Sequence, residues 1–170
     1  MAETMTDQEI ARAVVEVFDT LNRVFFGDEL PRPGIALDNF AEVLGADTLA
    51  AFYTPEEIPA LEKPAMFIDL TGIDKVMGAG LAESWAGALA DTMLHEMVHY
   101  HCYLNGIKDH DEKGAHLESF RDEARAHGLD CEWREGGDWS MTAISASGLA
   151  SIARALDDVT IKTANWIGGR

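Results

Sequence analysis

Two histidines four residues apart, with a glutamate directly after the first, give the run His95-Glu96-Met97-Val98-His99 the clearest chemistry in this chain. On a helix, positions i and i+4 share one face, so imidazoles at that spacing can grip one metal ion. Glu96 lies one position on, about 100° round the axis. That sets it beside the metal as a base, outside the ligand set. Imidazole nitrogens suit zinc, and zinc lowers the pKa of a bound water to roughly 7. Glu96 can then take the water's proton as it attacks a carbonyl, and pass it to the leaving amine. This is the mechanics of the His-Glu-x-x-His metallohydrolase motif. By chance, this composition yields such a match with an expectation of roughly 2%. The apolar surroundings, where an unpartnered His or Glu is costly to bury, count further against accident.

A catalytic zinc needs a third protein ligand and an open position. His116 is the favoured choice, because it starts the next helix after a loop long enough to fold back. Glu118, Glu123 and His110 are rivals that spacing alone leaves open. The metzincin pattern fails, since its Gly and third His fall on Cys102 and Asn105. Asp91, one turn before His95, is placed either to orient that ring or to face solvent. His101 points away from the metal face, and His127 suits a helix C-terminus. Tyr100, Tyr103, Trp133 and Trp139 read as packing residues.

Several elements must position this run. Ile10, Val14, Val17, Phe18, Leu21, Val24 and Phe25 follow a helical period, with Thr6 and Glu9 as a capping box and Gly27 as a stop. Short apolar runs at Gly34–Leu37, Ala50–Tyr53 and Ala65–Leu70, separated by Pro and Gly, predict two or three strands between residues 31 and 78. A long helix, apolar on most faces and therefore buried, is predicted from Leu81 to Leu104. It carries the ridge Leu81, Trp85, Leu89 and Met93, and ends at Asn105-Gly106. A further helix is predicted from Gly114 to His127, with Leu117, Phe120 and Ala124 facing the core. The remainder predicts a hairpin around Glu135–Asp138 within Cys131–Ile144. A helix over Leu149–Val159 follows, with Ile152, Leu156 and Val159 on one side.

The 170 residues fit one compact domain, 47% hydrophobic and 25% charged. The expected division is a catalytic unit over 1–130 and an extension over 131–170 packed on it. The net charge of -17 argues against direct DNA binding, which needs Lys and Arg to neutralise phosphates. Cys102 and Cys131 form no Cys-x-x-Cys pair and are expected as buried free thiols. No secretory signal and no membrane span is legible, so a cytoplasmic location is the expectation.

Three stretches together resemble a known family. They are Asn22-Arg23-Val24-Phe25-Phe26-Gly27-Asp28-Glu29-Leu30-Pro31, the run Leu94–His99, and Gly114-Ala115-His116-Leu117-Glu118-Ser119-Phe120. Over roughly residues 8 to 130 the chain resembles the SprT-like zinc metalloproteases, the group that includes Spartan. The resemblance implies zinc held by His95, His99 and His116, with Glu96 as the catalytic base. It implies an α+β, zincin-like fold: an N-terminal helix, a small three-stranded sheet, a buried metal-binding helix, then a helix carrying the third ligand. It also implies a polypeptide substrate paired with an edge strand, for which Ala65–Leu70 is the candidate. The zinc ribbon that many members carry has no cysteines here. Two functions follow as expectations: a zinc metalloendopeptidase, or a non-catalytic, zinc-stabilised protein-binding module. A deformylase-like amidase ranks lower, because both cysteines lie downstream of His95.

Overall fold

The computed structural model describes residues 6–45, 48–80 and 83–167, with side chains described for all of these except 41 and 160–167. Its first element, helix α1 (Asp7–Phe26), starts as its sequence predicts. Thr6 Oγ1 accepts from the Glu9 amide at 3.3 Å, and Glu9 accepts from the Thr6 amide at 2.7 Å. Ile10, Val14, Val17, Phe18 and Leu21 are buried. Val24, expected in the core, is 40% exposed. The helix turns away at Gly27, in the left-handed region at φ 62°, and Phe26 is the residue that turns inward. Asn22, also buried, fastens the turn that follows: its amide donates to Leu30 O at 2.9 Å and accepts from Leu30 N at 3.1 Å.

Strand β1 (Gly34–Asp38), the short helix α2 (Ala41–Leu44), strands β2 (Ala50–Tyr53) and β3 (Ala65–Asp69), and helix α3 (Leu70–Gly78) follow. The strands form one sheet in the order β1-β3-β2, with β1 parallel and β2 antiparallel to β3. This corrects the expectation that Ala65–Leu70 is the edge available to substrate. β3 is central, and its Ala65, Met66, Ile68 and Asp69 are buried. A strand with partners on both sides has no free backbone groups to offer a ligand. The free edges belong to β1 and β2. Leu70, read as the end of the strand, instead opens α3. The Asp69 carboxylate caps that helix by accepting from the Thr71 amide at 3.0 Å.

Helix α4 (Trp85–Leu104) is capped by Ser84, which accepts from the Gly87 amide. The expected start at Leu81 lies outside the described residues. Trp85, Leu89, Met93, Leu94, Met97 and Val98 are all buried. α4 lies at the centre of the molecule and touches α1, α3, β2 and most of the elements after it. That is why its sequence is apolar nearly all round. Asn105 and Gly106 end it, Gly106 at φ 65°.

Helix α5 (Glu118–Ala126) is shorter than the predicted Gly114–His127, and His116 precedes it. His116 sits instead in a single antiparallel bridge with His110, which closes the intervening loop on itself. Phe120 and Ala124 are buried as expected, while Leu117 is half-buried at the helix start. The hairpin forms from β4 (Leu129–Glu132) and β5 (Met141–Ile144), and α6 (Ala146–Ile167) follows. Ile152, Leu156 and Val159 are buried, and α6 lies against α1 and α4. Cys102 and Cys131 are free and buried, and burial pushes the Cys102 thiol up to about 12. The fold is α+β. No helix among the described residues is long and apolar enough to cross a membrane.

Gly128 joins α5 to β4 at φ 88°, and a Cβ there would lie 2.3 Å from the Phe25 ring. Gly128→Ala therefore combines left-handed strain with overlap. A loss of about 1–3 kcal/mol is expected in urea unfolding.

Candidate metal centre

His95 and His99 leave the same face of α4, with ring centroids 5.1 Å apart. The loop from Ile107 to His116 folds back over that face and presents a third ring. His116 Nε2 lies 3.2 Å from His95 Nε2 and 3.0 Å from His99 Nε2. Phe120, fully buried on the first turn of α5, lies against all three rings, at centroid distances of 4.9, 4.6 and 4.5 Å. Among the described residues, these three histidines form one group whose ligand atoms all lie within 4.8 Å of one another.

Each ring is held from behind through its other nitrogen. His99 Nδ1 donates to Asp109 Oδ2 at 2.6 Å, and His116 Nδ1 to Asp138 Oδ2 at 2.8 Å. His95 Nδ1 lies 2.9 Å from Thr142 Oγ1. Asp138 also accepts from the His116 amide at 2.9 Å, so one carboxylate fixes both backbone and ring. With the Nδ1 atoms protonated, the three Nε2 lone pairs would point at one another. A single proton could satisfy one pair of them, whereas a cation satisfies all three. Zinc–nitrogen bonds of 2.0–2.1 Å in a tetrahedron put ligand atoms ~3.3 Å apart, close to the spacings seen. The donor set therefore fits zinc, with imidazole ligands and partners that raise their basicity.

Electrostatics divide the rings. Burial holds His95 well below the ordinary imidazole range, and the neighbouring rings His99 and His116 add to the effect. Burial also lowers His116, against the opposing pull of Asp138. Burial acts downward on His99 too. There the Asp109 hydrogen bond, with the charges of Glu96, Asp109 and Glu57, outweighs it and the ring is raised. Glu96 is buried beside them, and burial raises its carboxyl above the usual range. The nearby backbone of Phe52 on β2 opposes that rise. A carboxylate raised in this way is a better proton acceptor near neutral pH.

The group opens into a cleft of about 980 Å³. α4 forms its floor, through Asp91, His95, Glu96 and His99. β2 forms one wall, and the hairpin residues Ser140 and Thr142 stand opposite. Of the rival third ligands, Glu118 and Glu123 lie elsewhere, while His110 borders the cleft with its ring 6.2 Å from that of His99. The Glu118 side chain is 75% exposed and pairs with Arg121. Glu123 lies between His101 and His127, and His110 Nδ1 is bound to Asp109 at 2.6 Å. Asp91 does not orient His95. Its Oδ1 accepts from the Ile144 amide at 2.6 Å and ties β5 to α4, while Thr142 stands behind the ring. His101 faces away from the group, as its spacing predicts.

Asp109, Asp138 and Thr142 escape a reading of the sequence. They lie 10, 22 and 47 residues from the rings they hold, and no local spacing rule links residues so far apart. The one available hint is that metal-binding histidines nearly always need an acceptor behind them, and this chain is rich in carboxylates.

Asp109→Asn and Asp138→Asn are each expected to weaken zinc binding by about 10- to 100-fold, read by competition against a chromophoric chelator. Unchanged affinity in either variant would remove the role assigned to that carboxylate.

Comparisons of the chain with protein-family models, with curated proteins and with solved structures find no match.

Proposed function

We propose that this chain is a zinc metallopeptidase of the SprT-like type, with a zincin-like active site. The observation that carries the reading is the convergence of His95, His99 and His116 Nε2 beside a buried Glu96 at the floor of an open cleft. His95, His99 and His116 would hold the ion. Bound there, zinc supplies a Lewis acid and makes water acidic enough to attack at neutral pH.

The chain's own residues do the rest. Glu96 accepts the proton of the attacking water and delivers it to the leaving amine. Its burial suits both halves of that task, because a raised carboxyl binds the proton long enough to hand it on. The scissile peptide needs a rail, and β2 supports one. β2 pairs with β3 on one side only, and Ala50 to Tyr53 line the cleft. An extended peptide added to that edge would gain main-chain hydrogen bonds and pass directly by Glu96. Phe52 of the rail and Glu96 line the same cleft, so an added strand would lie beside the base.

The alternative, a zinc-stabilised binding module, calls for a metal closed off by a fourth protein ligand. The group contains three side chains among the described residues and opens into the cleft. This favours the catalytic reading. A DNA-borne substrate is disfavoured by the charge of -17.

Glu96→Gln is expected to lower cleavage of an unfolded protein substrate by at least about 100-fold while zinc content stays at the wild-type level. Chelation should abolish the wild-type activity, and added DNA should leave it unchanged. Cleavage by Glu96→Gln at the parental rate would overturn the mechanism.

A further inference from the structure

A second cluster of metal-binding side chains lies on the side of α4 away from the cleft. His101 belongs to the last turn of α4, Glu123 to α5, and His127 to the cap of α5. Glu123 and His127 are four residues apart, the same chelating interval that His95 and His99 use on α4. Glu123 Oε2 lies 3.3 Å from His101 Nε2 and 3.7 Å from His127 Nδ1. One ligand atom from each residue falls within 4.8 Å of the other two. The imidazole rings are 4.4 Å apart at 50°.

The geometry points to a second divalent-metal site, of the zinc class, held by His101, Glu123 and His127. Two imidazoles and one carboxylate suit zinc, cobalt or nickel and leave positions for water. Bonds of 2.0–2.2 Å put neighbouring ligands roughly 3.0–3.5 Å apart, so the two Glu123 contacts need to close by a few tenths of an ångström at most, and the two imidazole ligand atoms start within 4.8 Å of each other. The rings are held in place before any ion arrives. Phe26 stacks on His127 at 4.4 Å and 14°, and lies 5.7 Å from His101. The side chains are 16%, 27% and 16% exposed, which is recessed but open to an ion from solution. Glu29 adds negative charge beside His101.

The site is weaker than the first by construction. His127 Nδ1 donates to the Glu123 carbonyl at 2.9 Å, and metal binding gives up that bond. Its role is mechanical. α4 and α5 flank the loop that delivers Asp109 and His116, and an ion joining them would hold the two helices in register. The inference is independent of the peptidase reading, because none of its ligands faces the cleft.

The test uses the full chain, stripped of metal and dialysed against buffered free zinc, with bound metal measured by plasma emission. The wild type should take up two equivalents, one of them removed by mild chelation. Glu123→Gln and His127→Gln should each take up one, retained tightly at the first centre, which also shows that the variant has folded. In parallel, imidazole NMR resonances of the wild type are followed through the titration. Those of His95, His99 and His116 should move with the first equivalent, and those of His101 and His127 with the second. A single equivalent in the wild type, two in the variants, or His101 and His127 resonances unmoved at saturation would each overturn the inference.

Discussion

Bare imidazole nitrogens repel one another when brought to a common point, and burial sharpens the repulsion by stripping away water. Much of the structure around α4 answers that problem. Asp109, Asp138 and Thr142 hold the rings through Nδ1, so the Nε2 atoms cannot turn aside. Phe120 closes the space behind the rings. α4 itself is held by contacts from most of the molecule, which leaves the two helical histidines little freedom to separate. A cation would relieve the crowding of these nitrogens, and metal affinity in such a site would include that relief.

The elements that carry periodic apolar residues were legible in the sequence. α1, α4 and the buried stripe of α6 follow from spacing, although α6 runs from Ala146 to Ile167 and so extends beyond the expected Leu149–Val159; the hairpin turn and the cap at Thr6 follow from residue type. The failures have physical causes. Val24 fits the helical period, but the period says nothing about where a helix turns off its neighbours. Ala65–Leu70 has the strongest strand composition because it is buried on both sides, and that same property makes it central instead of an edge. Helix α5 begins after His116 because the bridge to His110 uses up the residues that composition assigns to its first turn. Within the site, a five-residue run revealed two rings and a base. The third ring needed a resemblance, and the groups behind the rings needed coordinates, since their positions depend on chain return and not on local pattern.

Charge acts here at two ranges. Over the whole molecule, the excess of 30 acidic over 13 basic residues sets a field that draws cations and repels polyanions. At the rings, individual carboxylates perform a directional task, each accepting one Nδ1 proton. The first effect fades with salt, while the second is shielded by burial and persists. A site of this design keeps its geometry across ionic strengths that erase its long-range attraction.

The Thr142 contact with His95 spans 47 residues, and it gives the molecule an order of assembly. A growing chain presents His95 and Glu96 early and His116 somewhat later. The carboxylate and hydroxyl behind two of the rings arrive later still, with the hairpin. Until β4 and β5 dock, His95 and His116 lack the groups that aim them. The centre is thus completed by residues that follow its ligands in the chain, and a partly made chain carries its reactive parts without their alignment.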